Sequence, residues 1–514
     1  MKLHAALLNR SPGLEQVLRQ EGFPASMTES SDLDPDRWSV LVLSRHLTDQ
    51  EQDDVRRYLR RGGAIMTWTP YADFLIQGEA ESRLISYLLA DRIPWDTISL
   101  LDIERNCDIP PGANSLPDQE GRSSAFVGRI DGGSAVVYPF DPADLLADHR
   151  STVRRFHSSK ERLPFEQVST VSKGDLRRLI SRSLEYLHHT RGIPYAHLWH
   201  YPEDNQSLFG FRIDTDGAPR QDIEDMRDLA RQYQIPVTWY IDVQSHESLF
   251  PLFREMETDE ISLHCYEHHQ FGSQEELSRD IRRGKVLLEQ AEMSPKGFAA
   301  PYGNWNIGIG RAIVNEGFVY SSEFSFAYDT LPIQPELDEG SSGVLQVPVH
   351  PICIGSMLRV GYSEEQMIRY FRGSLRVKLE KREPLFYYHH PAQRCWGVLE
   401  SLFRSVNEQG IAKTTLLDYA LWWKKREAAV MVADVEDDGI SIQIKGDRSV
   451  RARVVMPDGS ERFMSRSEEH LSSGVGQWTP VPRTGPIDRI ERIREPDMRT
   501  FIARWYNHFL RRVQ

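Results

Sequence analysis

The sequence predicts an α/β protein in three parts: an open α/β layer domain over 1–190, a (β/α) barrel over 191–427, and a small β module with a C-terminal helix over 428–514. Three observations carry that prediction. Strand-like and helix-like stretches alternate through the first part, six or seven strand-then-helix units follow between Leu208 and Lys425, and paired alternating stretches separated by turn residues come after Lys425. At 514 residues the chain is long enough for about three domains of ~150 residues. Its 40% hydrophobic and 27% charged residues exclude a disordered or low-complexity chain.

In the first part, Val40 to Leu43 is an aliphatic run suited to a strand buried on both faces. Thr48 then offers an N-cap, and Glu51 three residues later completes a capping box, so a helix is expected to run to Arg61 with Val55, Tyr58 and Leu59 on one face. Gly62 and Gly63 stop it, and Ala64 to Trp68 resumes a strand, which makes a βαβ unit. Ser134 to Phe140 reads as another strand and Gly174 to Leu187 as a helix. This pattern resembles the class I glutamine-amidotransferase-like fold, whose chemistry requires a nucleophilic Cys on a sharp strand-to-helix turn. Here that turn is Thr69-Pro70-Tyr71-Ala72-Asp73, without a Cys, and Cys107 is expected in a loop without an adjacent His. The resemblance therefore implies a structural or binding domain lacking its nucleophile.

In the second part, short strands are expected at Leu208 to Ile213, Pro236 to Ile241, Glu260 to Leu263, Gly297 to Ala300, Val344 to Val347 and Leu385 to Tyr388. Helices are expected at Arg220 to Tyr233, Gln274 to Glu292 and Glu364 to Leu379. In the third part, Val430 to Val435 and Ile440 to Ile444 flank the turn signal Asp437-Asp438-Gly439, and Pro457-Asp458-Gly459 marks a further turn. After Pro496, Met498, Phe501, Ile502, Trp505 and Phe509 share one face of an amphipathic helix.

With 62 Lys plus Arg against 75 Asp plus Glu, the net charge of −13 repels rather than gathers nucleic acid. Four cysteines without a CxxC pair point to a reducing compartment. The N-terminal apolar run breaks at Asn9 and Arg10, and no stretch approaches ~18 uninterrupted apolar residues, so no membrane span and a cytoplasmic location are expected. The flanking parts are candidate surfaces for an oligomer or a protein partner.

In barrels, chemistry collects at the C-terminal ends of the strands. The first barrel strand ends in Asp214-Thr215-Asp216, two carboxylates whose side chains extended geometry sends to one face. The third runs into His264-Cys265-Tyr266-Glu267-His268, and on one helical turn the spacing of four brings both imidazoles to one side of a cation. Two His and one carboxylate form an open metal set, with positions left for water and substrate. Pro301-Tyr302-Gly303 and His389-His390-Pro391 close later strands. Trp239, Tyr240, Tyr302, Trp305, Tyr387 and Trp396 lie near these motifs as core residues or as platforms for sugar rings. Gly308-Ile309-Gly310 lacks the third glycine and the βαβ context of a dinucleotide loop.

In the order DxD, HxxxH, PYG and a final His at successive strand ends, the middle segment resembles the polysaccharide deacetylase family, the NodB-homology or carbohydrate esterase family 4 fold. The resemblance implies a distorted (β/α) barrel that removes acetyl groups from sugars with a divalent metal, usually zinc, with cobalt or nickel as alternatives. It implies Asp214 as the catalytic base, Asp216, His264 and His268 as the metal triad, and the backbone N–H of Tyr302 as an oxyanion donor. His390, followed by Pro391, best matches the family's general acid, with His389 as its rival, since neighbouring strand residues face opposite ways. Two positions depart from the family. Ala299 stands where many members have an Arg that pairs with the catalytic Asp, so Arg212, Arg394 or His350 would have to compensate, and Cys265 stands in place of Ser or Thr. The implied function is removal of acetyl groups from N-acetylated sugars or glycan precursors. The alternatives are an amidohydrolase acting on a small non-sugar amide and a catalytically impaired carbohydrate-binding or scaffold protein.

Overall fold

In the computed structural model, the described residues are 1–90, 92–157, 162–338, 340–437, 439–464, 470–472 and 477–481. The amphipathic segment expected after Pro496 lies outside them.

The chain folds into two units. One comprises Met1–Asp148, Val171–Asp204 and the described residues from Lys424 onward. Its main sheet has seven strands, five of them parallel neighbours: Ala25–Met27, Ala5–Leu7, Val40–Val42, Ala64–Trp68 and Gly133–Tyr138. The parallel strands are aliphatic because helices pack on the sheet, as in α/β layers. The helix Asp49–Arg60 starts at Thr48 with both halves of the capping box made, and buries Val55, Tyr58 and Leu59. The turn at Thr69–Tyr71 is a single 3₁₀ turn. Cys107, expected in a loop, instead lies in the strand Ser99–Ile109 and is buried, and burial pushes its thiol up to about 12. A thiol held there is neutral and unreactive.

The hairpin Val430–Glu436 with Gly439–Lys445 belongs to this same unit, as do Ala452–Val455 and Ser460–Met464. Ala452–Val455 pairs antiparallel with Tyr195–Leu198, and Leu3 N–H donates to Ala433 O at 2.9 Å.

The other unit comprises His149–Thr170 and Asn205–Trp423 among the described residues. Its sheet is a distorted (β/α) barrel of parallel strands: β1 (Phe209–Asp214), β2 (Val237–Asp242), β3 (Glu260–Cys265), β4 (Gly297–Phe298), β5 (Tyr320–Ser321), β6 (Leu345–Gln346) and β7 (Leu385–His389). Their order is β6-β5-β4-β3-β2-β1-β7, with Lys413–Thr414 also paired to β1. Among the described residues β6 and β7 do not pair as strands; the chain beyond β6 approaches instead, His350 N–H donating to Phe386 O at 2.8 Å. β5 was not among the expected strands. One apolar core, including Phe211, Ile213, Trp239, Ile241, Leu263 and Phe298, lies behind the strands and fixes which way each strand's other residues face. The antiparallel hairpin Ser151–His157 with Arg162–Ser169 is part of this unit, Arg154 Nη1 donating to Tyr328 OH at 2.9 Å. No helix among the described residues is long and apolar enough to cross a membrane.

Candidate functional site

β1 presents Phe209, Phe211 and Ile213 to the core, so Arg212 and Asp214 share its other face. There they form a buried bidentate pair: Arg212 Nε to Asp214 Oδ1 and Nη2 to Oδ2, each at 2.6 Å. Asp216 does not continue the strand. β1 ends at Asp214, and Asp216 takes a left-handed φ of 39° in the turn beyond it. The residue two back from Asp214, not the one two ahead, is thus its partner on the strand face.

His264 lies within β3, and His268 follows in a turn, so the two are not on one helical turn as their spacing suggested. Asp280 holds that turn, its carboxylate accepting from Tyr266 N at 3.0 Å and Glu267 N at 2.8 Å. Its helix, Gln274–Gln290, packs close because Gly284 has no side chain: a Cβ there would stand 2.7 Å from Leu263 Cδ1 and 3.3 Å from Tyr266 N.

The turn and the strand ends bring Asp216, His264 and His268 together. His264 Nε2 is 3.1 Å and His268 Nε2 3.5 Å from Asp216 Oδ1. His264 Nδ1 bonds to Ala299 O at 2.6 Å, so its hydrogen is there and Nε2 offers a lone pair. Asp216 Oδ1 and His268 Nε2 are buried without a hydrogen-bond partner among the described residues. Acceptors this close, with no hydrogen between them, fit a cation. Burial works against Asp216's charge, but His264, His390 and His268 hold its carboxyl well below the usual carboxylate range.

His390 stands on the opposite side of that carboxylate, its Nε2 3.3 Å from Asp216 Oδ2. Gly355 N–H donates to Gln393 Oε1 at 2.7 Å, which turns the Gln393 NH₂ toward His390 Nδ1 at 2.9 Å and leaves Nε2 facing Asp216. Burial and this amide favour the neutral ring; Cys353, Asp216 and Asp214 favour the cation, and the balance raises His390 to about 9. The Cys353 thiol is pushed up by burial and brought down further by His390, to about 6. His389 is buried on the other face with neither ring nitrogen partnered.

Of the three groups offered in place of the absent guanidinium at Ala299, Arg212 pairs with Asp214; its Nη1 also donates to Ser322 O and, at 3.2 Å, to Ser322 Oγ. Arg394 instead meets Asp222 at 3.1 Å, and His350 is engaged with Asp329 and Tyr370. Tyr302 has a left-handed φ of 61°, and its ring stands 58% exposed, 5.0 Å from His268. Trp239, Tyr240, Trp305 and Tyr387 are buried. Gly308 and Gly310 lie inside the helix Ile307–Asn315. Cys353 and Gln393 are the neighbours of the site that sequence reasoning passed over. Gln393 lies one turn beyond His390, which is the one sequence signal that pointed to it.

No family model matches the sequence, and neither does any curated protein. Among solved structures, the chain is similar to a putative polysaccharide deacetylase from Mycobacterium smegmatis, at 16% identity over 44% of this chain and 93% of that one, with a TM-score of 0.38. It is also similar to an allantoinase, at 15% identity over 44% and 92% with a TM-score of 0.38. A third is a carbohydrate esterase family 4 pseudoenzyme from Bacillus anthracis, at 11% identity over 53% and 92% with a TM-score of 0.31. The likeness to solved polysaccharide deacetylases is one of fold.

Proposed function

We propose that the barrel unit is a metal-dependent hydrolase that removes acetyl groups from N-acetylated sugars or glycan precursors. The observation that carries this reading is the meeting of Asp216 Oδ1 with His264 Nε2 at 3.1 Å and His268 Nε2 at 3.5 Å, all three ligand atoms within 4.8 Å of one another, beside a separate carboxylate. A divalent ion there, zinc by its donor set, would supply Lewis acidity and make water easier to deprotonate.

The remaining chemistry belongs to the chain. Asp214 takes a proton from the attacking water; each of its oxygens has a lone pair beyond the one given to Arg212. The bidentate guanidinium fixes the carboxylate's plane and balances its buried charge. That pairing supplies what Ala299 lacks, which favours an active barrel over an impaired one. His390, raised to about 9 and so protonated at neutral pH, faces the same centre through Nε2 and donates that proton to the departing nitrogen, returning to the neutral ring. The backbone N–H of Tyr302, in its strained turn, meets the negative charge that grows on the carbonyl oxygen.

The test is acetate release from chito-oligosaccharides and UDP-linked N-acetyl sugars by protein loaded with zinc, cobalt or nickel. Release that depends on the added metal is expected. No release from either substrate with any of the three, at full metal occupancy, overturns the reading.

A further inference from the structure

The first unit holds a second cluster of the same composition. Glu21, the last residue of the helix Pro12–Glu21, and His197 and His200, at and just beyond the end of the strand Tyr195–Leu198, each bring one ligand atom within 4.8 Å of the other two. All three are buried.

The hydrogen bonds around the cluster leave His197 Nε2 unexplained. Glu21 Oε1 accepts from Ser181 Oγ at 2.7 Å, and Oε2 accepts from Arg177 Nη1 at 2.8 Å. His197 Nδ1 lies 3.1 Å from Glu21 O and 3.0 Å from Leu198 O. Carbonyl oxygens only accept, so Nδ1 carries the ring hydrogen and Nε2 holds a lone pair. That Nε2 is buried and has no hydrogen-bond partner among the described residues. His200 Nε2 lies 3.7 Å from Glu21 Oε2, and the two imidazole centroids are 4.9 Å apart.

An imidazole lone pair sealed from water without a donor is unfavourable, and native structures rarely leave one so. A cation is the partner that imidazole nitrogen and carboxylate oxygen have in common. We propose that Glu21, His197 and His200 bind a second divalent transition-metal ion, one that serves the fold rather than a reaction. Two nitrogen donors and a single carboxylate select zinc, cobalt or nickel over magnesium or calcium, which require oxygen. Arg177 keeps the carboxylate ionised and oriented, as outer partners of metal-ligating carboxylates do, while Glu21 keeps further lone pairs for the ion. The ion would tie the end of the helix Pro12–Glu21 to the turn after Leu198, two segments far apart in the chain.

The test counts metal in the full-length protein, stripped by chelator and reloaded with zinc, and repeats the count in Asp216→Ala, which removes the barrel's set. About two equivalents are expected in the unaltered protein, about one in Asp216→Ala, and none in Asp216→Ala combined with His197→Ala. Glu21→Gln in place of His197→Ala gives the same loss if the latter fails to fold. Added zinc should also raise the Tm of Asp216→Ala. Asp216→Ala protein that is folded, takes up no zinc and shows no Tm shift overturns the proposal, as does a double variant that keeps the single variant's metal. One equivalent in both the unaltered protein and Asp216→Ala would support this site and overturn the barrel's instead, so the two assignments fail separately.

Discussion

Among the described residues stand two clusters of two imidazoles and one carboxylate, and they differ in what surrounds them. In the barrel, the side chains of Asp216 and His268 are 29% and 25% exposed, and a second carboxylate, Asp214, stands close by with its own guanidinium. In the first unit, the side chains of Glu21, His197 and His200 are no more than 8% exposed, and the guanidinium is spent on the proposed ligand carboxylate itself. The lesson is that ligand type sets affinity for a cation, while access and a spare base decide whether chemistry follows. An open position admits water and substrate; a sealed one only holds segments together.

The largest effect that can break this contrast is at the base. Asp214→Asn should lower kcat by ~10²–10⁴-fold while metal content stays unchanged, as acetate release and elemental analysis would read. Unchanged kcat would mean that the spare carboxylate, which sets the two clusters apart, has no part in the chemistry. Next come the two arginines. Arg212→Met and Arg177→Met each strand a buried carboxylate and should each cost about 3–5 kcal/mol in urea unfolding. Only Arg212→Met should also lower kcat per folded molecule. Gly284→Ala should be milder, costing about 1–3 kcal/mol, because its Cβ would press on Leu263 and the Tyr266 amide, and it should weaken zinc at the barrel's site alone.

The smallest effect separates buried from exposed acid sensitivity in the first unit. Glu21 and Glu51 both have depressed folded values. Burial opposes Glu21's charge, but His200, His197 and Arg177 hold it well below its usual range, while Arg45 and the Thr48 cap bring Glu51 to about 2. A depressed carboxyl contributes stability that is complete above its unfolded value of 4.5 and lost as pH falls through the folded one. Glu51→Gln should therefore flatten the fall of stability between pH 4.5 and about 2, and Glu21→Gln should flatten the fall below pH 4.5 as well. A fall of unchanged steepness in either variant would show that its carboxyl adds no acid sensitivity.

How much of this was legible before folding differs from element to element. The strands at Val40 and Ala64 and the helix capped by Thr48 and Glu51 stand within a residue or two of where the sequence placed them, because caps and aliphatic runs are local signals. β5 and the strand around Cys107 were missed, the second because its register depends on a partner. The motif order found Asp214, Asp216, His264, His268 and His390, and the structure brings them to one place. Their local geometry was misread twice: the DxD is not one strand face, and the His pair is not one helix turn. His200 and His197, three apart like any polar pair, gave no signal at all that Glu21 would join them.

Residue types and their order along the chain were enough to point to the candidate site: carboxylates and imidazoles at successive strand ends, which any fold with those strands side by side must gather at one rim. Which guanidinium answers Asp214, which of two adjacent histidines faces the centre, and that a helix end at Glu21 meets a turn at His200 were settled only by tertiary packing. Those choices turn on strand register, the single-residue alternation of side chains and the approach of segments distant in sequence, and none of these is encoded within any one stretch of the chain.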